Sequence, residues 1–403
     1  MPLKDFPPVL RFLLLTMLTN AISFGIIIPV TPALVMQLGH TDLSHATAIG
    51  GRLALIYAVF QFVFSPVMGN LSDRFGRRPV LLFSLFGLAL EFIAMAVSPN
   101  LIWLFAARGL SGLSGASNAS AQSAIADIAT PEQRTRLFGL LGAAFGIGFI
   151  IGPAIGGMLG NFGLRLPFLA AALLALANLV FGLLVGAETL KLENRRSFDW
   201  RRANPLGSLL QVRHLPGILP IALVYFLWQV ASLVYPLLWN YFAAARWGWS
   251  PGMIGLALGV VGLFMAATNI FVNPRVSARL GERKTALLGM SFGAAGMFAY
   301  AAAPYGWMAF AISAFMALQA LTHPALTAMM SRRATADNQG EVQGFASSVM
   351  GLGAMTAPAI LSTTQAWFTG PNAPFYFDGA GMALAGMIAV VGAIALWSLG
   401  DSE

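Results

Sequence analysis

The chain has 403 residues, of which 58% are hydrophobic and only 9% charged, against roughly 25% charged in soluble domains. So few charges cannot cover a globular surface, which excludes a water-soluble enzyme of this size, a disordered chain and a collagen-like repeat. The net charge of +8 fits the basic cytoplasmic loops of a membrane protein and needs no nucleic-acid partner, and the absence of cysteine removes disulfides and thiolate chemistry.

About 20 helical residues cross about 30 Å of hydrocarbon, so the chain has room for roughly a dozen spans. Apolar stretches broken by charge, Pro and Gly place spans one to twelve near 9–38, 48–70, 79–98, 101–127, 137–162, 166–188, 217–246, 251–277, 285–303, 307–331, 342–367 and 379–400. The first is too long for a cleaved signal and is read as a retained span. With both termini cytoplasmic, all 23 basic residues fall on that side except Arg52, Arg165 and Arg246, near periplasmic ends, and Arg108, inside a span. That asymmetry sets the orientation.

The longest polar stretch, Lys191 to His214, lies midway between six spans and six spans. The expected organisation is an N-terminal six-helix bundle at 1–188, a cytoplasmic linker at 189–216 and a C-terminal six-helix bundle at 217–403. A repeat supports it: GNLSDRFGRR at 69–78 follows span two, and PRVSARLGER at 274–283 follows span eight. At a constant offset of 205, Ser72 meets Ser277, Arg74 meets Arg279, Gly76 meets Gly281, Arg78 meets Arg283 and Pro99 meets Pro304. The predicted fold is all-α integral membrane, with twelve transmembrane helices in two pseudo-symmetric bundles.

Polar residues recur at helical spacing as Thr16, Asn20 and Ser23 in span one and as Tyr57, Gln61 and Ser65 in span two, and are expected to face a central cavity. The loop after span two holds Gly69, Asp73, Arg74, Gly76, Arg77 and Arg78: glycine for a tight turn, with an acid and arginines able to make charged hydrogen bonds. Ionisable groups inside a membrane are costly and mark function, and Glu91, Arg108 and His323 stand out. Glu91 shares one face of span three with Ser84, Gly87 and Ser98, where it can take a proton from the periplasm and lose it inward. Arg108 opens the polar stripe of span four, with Gly112, Gly115, Asn118 and Gln122; its permanent charge requires an acceptor or water.

Span five carries Gly139, Gly148, Gly152, Pro153, Gly156 and Gly157. Glycines four and eight apart share a face that another helix can approach closely, and Pro153 is expected to bend the helix. In span seven, Trp228, Gln229, Tyr235 and Trp239 suggest an aromatic pocket with hydrogen-bonding points, suited to a flat amphipathic organic molecule. His323 in span ten is read either as a neutral imidazole satisfied by a neighbouring helix or as a proton-linked group. No nucleophile, metal or phosphate-loop constellation is present, so no enzymatic activity is expected.

GNLSDRFGRRPVLL resembles the loop signature G-x-L-x-D-R-x-G-R-R of the major facilitator superfamily, through Gly69, Leu71, Asp73, Arg74, Gly76, Arg77 and Arg78. Span five resembles the pattern G-x8-G-x3-G-P-x2-G-G of the superfamily's drug:proton antiporters. SFGIIIPVTP in span one, LLFSLFGLALEFIAMAVS in span three and ADIATPEQRTRLFGLLGAAFGIGFIIGP across spans four and five are similar to tetracycline efflux proteins. The resemblance covers essentially the whole chain. It implies efflux of a small molecule in exchange for protons by alternating access, with Glu91 and Arg108 handling the proton. It also implies that Asp73, Arg77 and Asp127 latch an outward-facing state. No cofactor is implied, and magnesium would enter only as a chelate of the substrate. An inner-membrane monomer is expected.

The chain departs from the tetracycline exporters at Asn20 and Gly293, where they carry acids, and at Met265, where they carry histidine. Fewer oxygen donors are then left for a magnesium-chelated ligand, and tetracycline becomes one candidate among several lipophilic compounds. A proton-coupled uptake carrier for a metabolite and a non-transporting membrane receptor of the same fold are the alternatives.

Overall fold

The computed structural model describes residues 7–115, 117–200, 204, 207, 215, 217–333 and 339–400, without the side chains of 117–119, 131, 132, 134–136, 339 and 340. The predicted cavity residue Asn118 therefore lies outside the described side chains, and much of the 189–216 segment lies outside the described residues.

Every regular element among the described residues is helical, and ten helices are long and apolar enough to cross a membrane. One expected span differs in the structure, and one boundary is a kink. Span four is made of two pieces, Leu101–Ser114 and Ser117–Ile128, the first of them too short to be counted among the ten. Spans eight and nine, within the stretch Pro251–Ala302, meet at a kink: Gly281 has non-helical backbone angles and separates two helices there, as the sequence predicts. Gly281 has φ +72°, and Gly76, its counterpart at the offset of 205, has φ +109°. Both need the left-handed region that an L side chain enters only with strain. The sequence repeat is thus also a backbone repeat.

Prolines modulate the long helices. Pro29 sits in a 3₁₀ turn, Ile28–Val30, within span one. Pro66 and Pro153 stand inside the continuous helices Leu43–Phe75 and Pro131–Phe162. Pro358 opens a π turn, Pro358–Ser362, in span eleven, and a second π turn, Thr268–Val272, lies in span eight. Such wider turns re-satisfy backbone groups where no water can do so.

Contacts divide the chain into two compact units. The first holds Met1–Leu34, Ile56–Pro205 and Pro251–Gly259; the second holds Val35–Leu55, Leu206–Ser250 and Val260–Glu403. In the first, Leu10, Phe12, Leu13 and Leu14 of span one pack with Leu81 and Leu85 of span three, Ile125 of span four and Leu141 of span five. Arg165, at the start of span six, donates to the carbonyls of Ala96 and Ser98 at 3.1 and 2.9 Å, closing the end of span three. In the second, Trp239, Phe242, Trp247, Trp249 and Tyr300 form an aromatic cluster. Arg246 beside it donates to Asp378 at 2.6 Å and to the carbonyl of Ala303 at 3.1 Å. Two charges are thereby paired at the helix ends, where a lone one would be costly.

Candidate transport site and loop latch

Small residues bring three helices of the first unit together around Glu91. A methyl group on Gly112 would lie 2.6 Å from the Tyr57 carbonyl oxygen, and one on Gly115 would lie 2.9 Å from the Gln61 amide nitrogen, so span four abuts span two only because both are glycine. On span three, Glu91 is 1% exposed. Arg108 Nη1 donates to Glu91 Oε1 at 3.2 Å, while Oε2 is buried with no hydrogen-bond partner among the described residues. The hydroxyls of Ser84 and Ser114 are buried without partners as well.

All four groups line a cavity of about 170 Å³, whose wall also includes Asn20, Tyr57, Gln61, Ser111, Phe24 and Phe145. Gln61 Nε2 donates to the Tyr57 hydroxyl at 2.9 Å. A buried carboxylate is tolerable only when paired, hydrogen-bonded or protonated, and here one oxygen is paired with Arg108 while the other is buried without a hydrogen-bond partner among the described residues. Of the residues expected to line a central cavity, Asn20 and Gln61 line this one, together with Glu91 and Arg108, while Trp228, Gln229, Tyr235, Trp239 and His323 do not.

The loop after span two forms a dense charged cluster. Arg77 donates from Nη1 to Asp73 at 2.6 Å and to Ser72 at 3.1 Å, and from Nε to Asp127 at 3.0 Å. Gly76 supplies the turn. Gly69, expected to share in it, lies inside the helix Leu43–Phe75, where a methyl would meet nothing within 4 Å. Arg74 lies over the Phe75 ring, 5.0 Å from its centroid, and Arg78 donates to the Leu183 carbonyl at 2.8 Å.

Sequence reasoning missed Glu188. Its carboxylate accepts from the backbone N–H groups of Arg77 and Arg78, at 2.8 and 3.3 Å, and of Thr189 and Leu190, both at 3.0 Å. It thereby caps span three and ties the end of span six to the cluster. Nothing in the spacing announces a partner 111 residues away.

A second omission was legible. Adding 205 to Arg77 and Asp127 gives Glu282 and Arg332, and these lie 2.8 Å apart. The pair recurs in the second unit with its charges exchanged.

The span-five glycines divide into two groups. A methyl would lie 2.6 Å from the Leu18 carbonyl oxygen at Gly148 and 2.6 Å from the Ile22 carbonyl oxygen at Gly152, and at Gly156 it would fall on the carbonyl of Ile26. These three face span one. Gly157 faces Pro251 and Gly252, Pro153 packs on Gly25, and Gly139 faces open space. The close-approach reading therefore fits Gly148, Gly152 and Gly156 and does not extend to Gly139.

In the second unit, the His323 imidazole lies 2.7 Å from the Tyr225 hydroxyl, which gives it a partner on a neighbouring helix. Trp228 and Trp239 are buried, Trp239 within the aromatic cluster, and Tyr235 packs against Tyr300. Gln229 packs on Gly353. A methyl on Gly293 would lie 2.6 Å from the Trp228 ring, so that indole occupies the space a larger residue at 293 would need.

With this geometry in place, comparison with known proteins is decisive for ancestry. The family model described as Major Facilitator Superfamily matches residues 13–245 and 221–399. The chain belongs to that superfamily. Within it, the chain is 41% identical to the class C tetracycline resistance protein of Escherichia coli over 87% of this chain and 88% of that one. It is 37% identical to the class G protein of Vibrio anguillarum, over 86% and 89%. The crystal structure of the human organic anion transporter MFSD10 superposes with a TM-score of 0.72 at 21% identity, covering 98% of this chain and 100% of that one. That of a D-xylose–proton symporter superposes with 0.77 at 16%, covering 97% of each. At those identities the structures attest the fold alone.

Proposed function

We propose that the protein exports a small amphipathic organic compound, with tetracycline the first to test, in exchange for protons. The observation that carries this reading is the Glu91–Arg108 pair, which joins spans three and four beside a cavity and leaves one buried carboxylate oxygen without a partner among the described residues. The similarity to tetracycline resistance proteins supports the substrate class.

In this mechanism Glu91 takes a proton from the periplasmic side, which removes the cost of its buried charge and loosens its hold on Arg108. The bundles at 1–188 and 217–403 then rock about a central site to face inward. Substrate entering from the cytoplasm displaces the proton, Glu91 re-pairs with Arg108, and the cluster of Asp73, Arg77 and Asp127 closes as the carrier opens outward. The charge bias of the loops supports an inner-membrane protein with both termini in the cytoplasm. Protons and the exported compound are its partners, without a cofactor, and magnesium enters only with a chelating substrate.

The test is tetracycline accumulation in inverted vesicles under an imposed pH gradient, comparing the native chain with Glu91→Gln. Native accumulation that collapses with the gradient, and its loss in the variant, is the expected result. Full gradient-driven accumulation by the variant would overturn the role of Glu91.

A further inference from the structure

Arg52 is exposed, inside the helix Leu43–Phe75, and among the described residues it has neither a hydrogen bond nor an ion pair. It lines a groove of about 460 Å³ within the second unit. One wall is a face of span two with His45, Ala48, Arg52 and Leu55; the other is a face of span eleven with Ala359, Thr363 and Trp367. The walls meet closely, since a methyl on Gly51 would lie 2.7 Å from Ser362 Oγ and the Ser44 hydroxyl donates to the Ala366 carbonyl at 3.0 Å. No carboxylate lines the groove, and nearby Asp42 is held by His45, with Oδ1 2.8 Å from Nδ1. The site therefore combines an apolar stretch of Ala48, Leu55, Ala359 and Trp367 with the Arg52 cation and a few uncharged polar groups, Ser44, Thr363 and Asn372 among them.

Depth identifies the complementary anion. The 33-residue helix is about 50 Å long, roughly 20 Å more than the hydrocarbon layer. With that excess shared between its ends, Arg52, nine residues from the helix start, lies near the hydrocarbon boundary, and its side chain reaches the headgroup level. Trp367, 53% exposed, stands at the rim, as indoles do at that level.

We propose that the groove binds an anionic phospholipid, its phosphate on Arg52 and one acyl chain along Leu55, Ala359 and Trp367. The inference stands apart from the proposed transport, because it needs neither Glu91 nor any exported compound.

The experiment reconstitutes the full chain in nanodiscs with a photoreactive phosphatidylglycerol and maps the cross-linked peptides. Labelling is expected on 44–55 and 358–372. It should fall about fivefold in Arg52→Gln, the worth of one basic residue at an anionic surface, and be retained in Arg52→Lys, with labelling elsewhere unchanged. Ala359→Trp, which fills the groove and leaves Arg52 in place, should abolish it. Equal labelling of the native chain and Arg52→Gln, or equal labelling by a photoreactive phosphatidylcholine, overturns the proposal. So does complete displacement by soluble glycerol phosphate, which would assign the site to a free anion.

Discussion

Arg108 holds one oxygen of Glu91 at 3.2 Å and leaves the other without a partner inside the same cavity. Half of this carboxylate is committed to the ion pair and half is left unsatisfied. Removing one member of a buried pair leaves the other uncompensated, at about 3–5 kcal/mol, whereas removing both is far milder. Arg108→Met alone is therefore expected to lower thermal stability in detergent more than the double variant Glu91→Gln, Arg108→Met. A double variant less stable than either single one would show that the pair does not act as a unit.

Span five offers an internal comparison. Gly152→Ala and Gly156→Ala push a methyl into the backbone of span one and should each lose about 1–3 kcal/mol. Gly139→Ala meets open space, and should be neutral or gain up to about 1 kcal/mol from the lower entropy cost of alanine in a helix. Melting temperatures of the three variants decide it, and a uniform response would remove the distinction.

These glycines show what the sequence makes legible. Spacing within one helix fixes which residues share a face, so Asn20 and Gln61 could be expected to face a cavity, and Glu91 and Arg108 singled out as ionisable groups, before any coordinates. What lies across that face is not a property of the helix. Gly139 and Gly156 satisfy the same pattern and have opposite surroundings, Glu188 caps a helix far away in sequence, and Trp228 fills the space beside Gly293.

Arg77 engages two acids through different nitrogens, a geometry that lysine cannot reproduce. Arg77→Lys keeps the charge but should lose about 1.5–3 kcal/mol of charged hydrogen bonding, which is tenfold or more in a conformational equilibrium. Transport in vesicles should fall accordingly with little change in folded yield. Undiminished transport would leave the cluster a merely topogenic loop.

Glu188 accepts four backbone N–H groups. Glu188→Ala should cost about 1 kcal/mol, as for a lost helix cap. Hydrogen exchange should quicken at Arg77 and Arg78, while the turn around Pro99 stays unaffected. Unchanged protection at Arg77 would refute the capping role.

Asp42 precedes span two, and the backbone N–H of His45, followed by its ring, holds the carboxyl below its ordinary value of 3.8. A depressed folded value stabilises the protein above the unfolded value, and that contribution disappears as the pH falls through the folded one. The group is well exposed, so the effect is small. Asp42→Asn should lose slightly less stability than the native chain on acidification below about pH 3.8, measured by melting. A steeper acid loss in the variant would contradict this sign.

The mirrored pairs Arg77–Asp127 and Glu282–Arg332 also bear on descent. If both halves arose from one ancestral copy, the two positions once carried the same signs in each. Reversing the pair by single charge-reversing substitutions passes through an intermediate in which two like charges face each other, unless an uncharged residue comes first. Positions 282 and 332 are thus tied together in inheritance, and among descendants of this lineage they should change in concert or both lose charge.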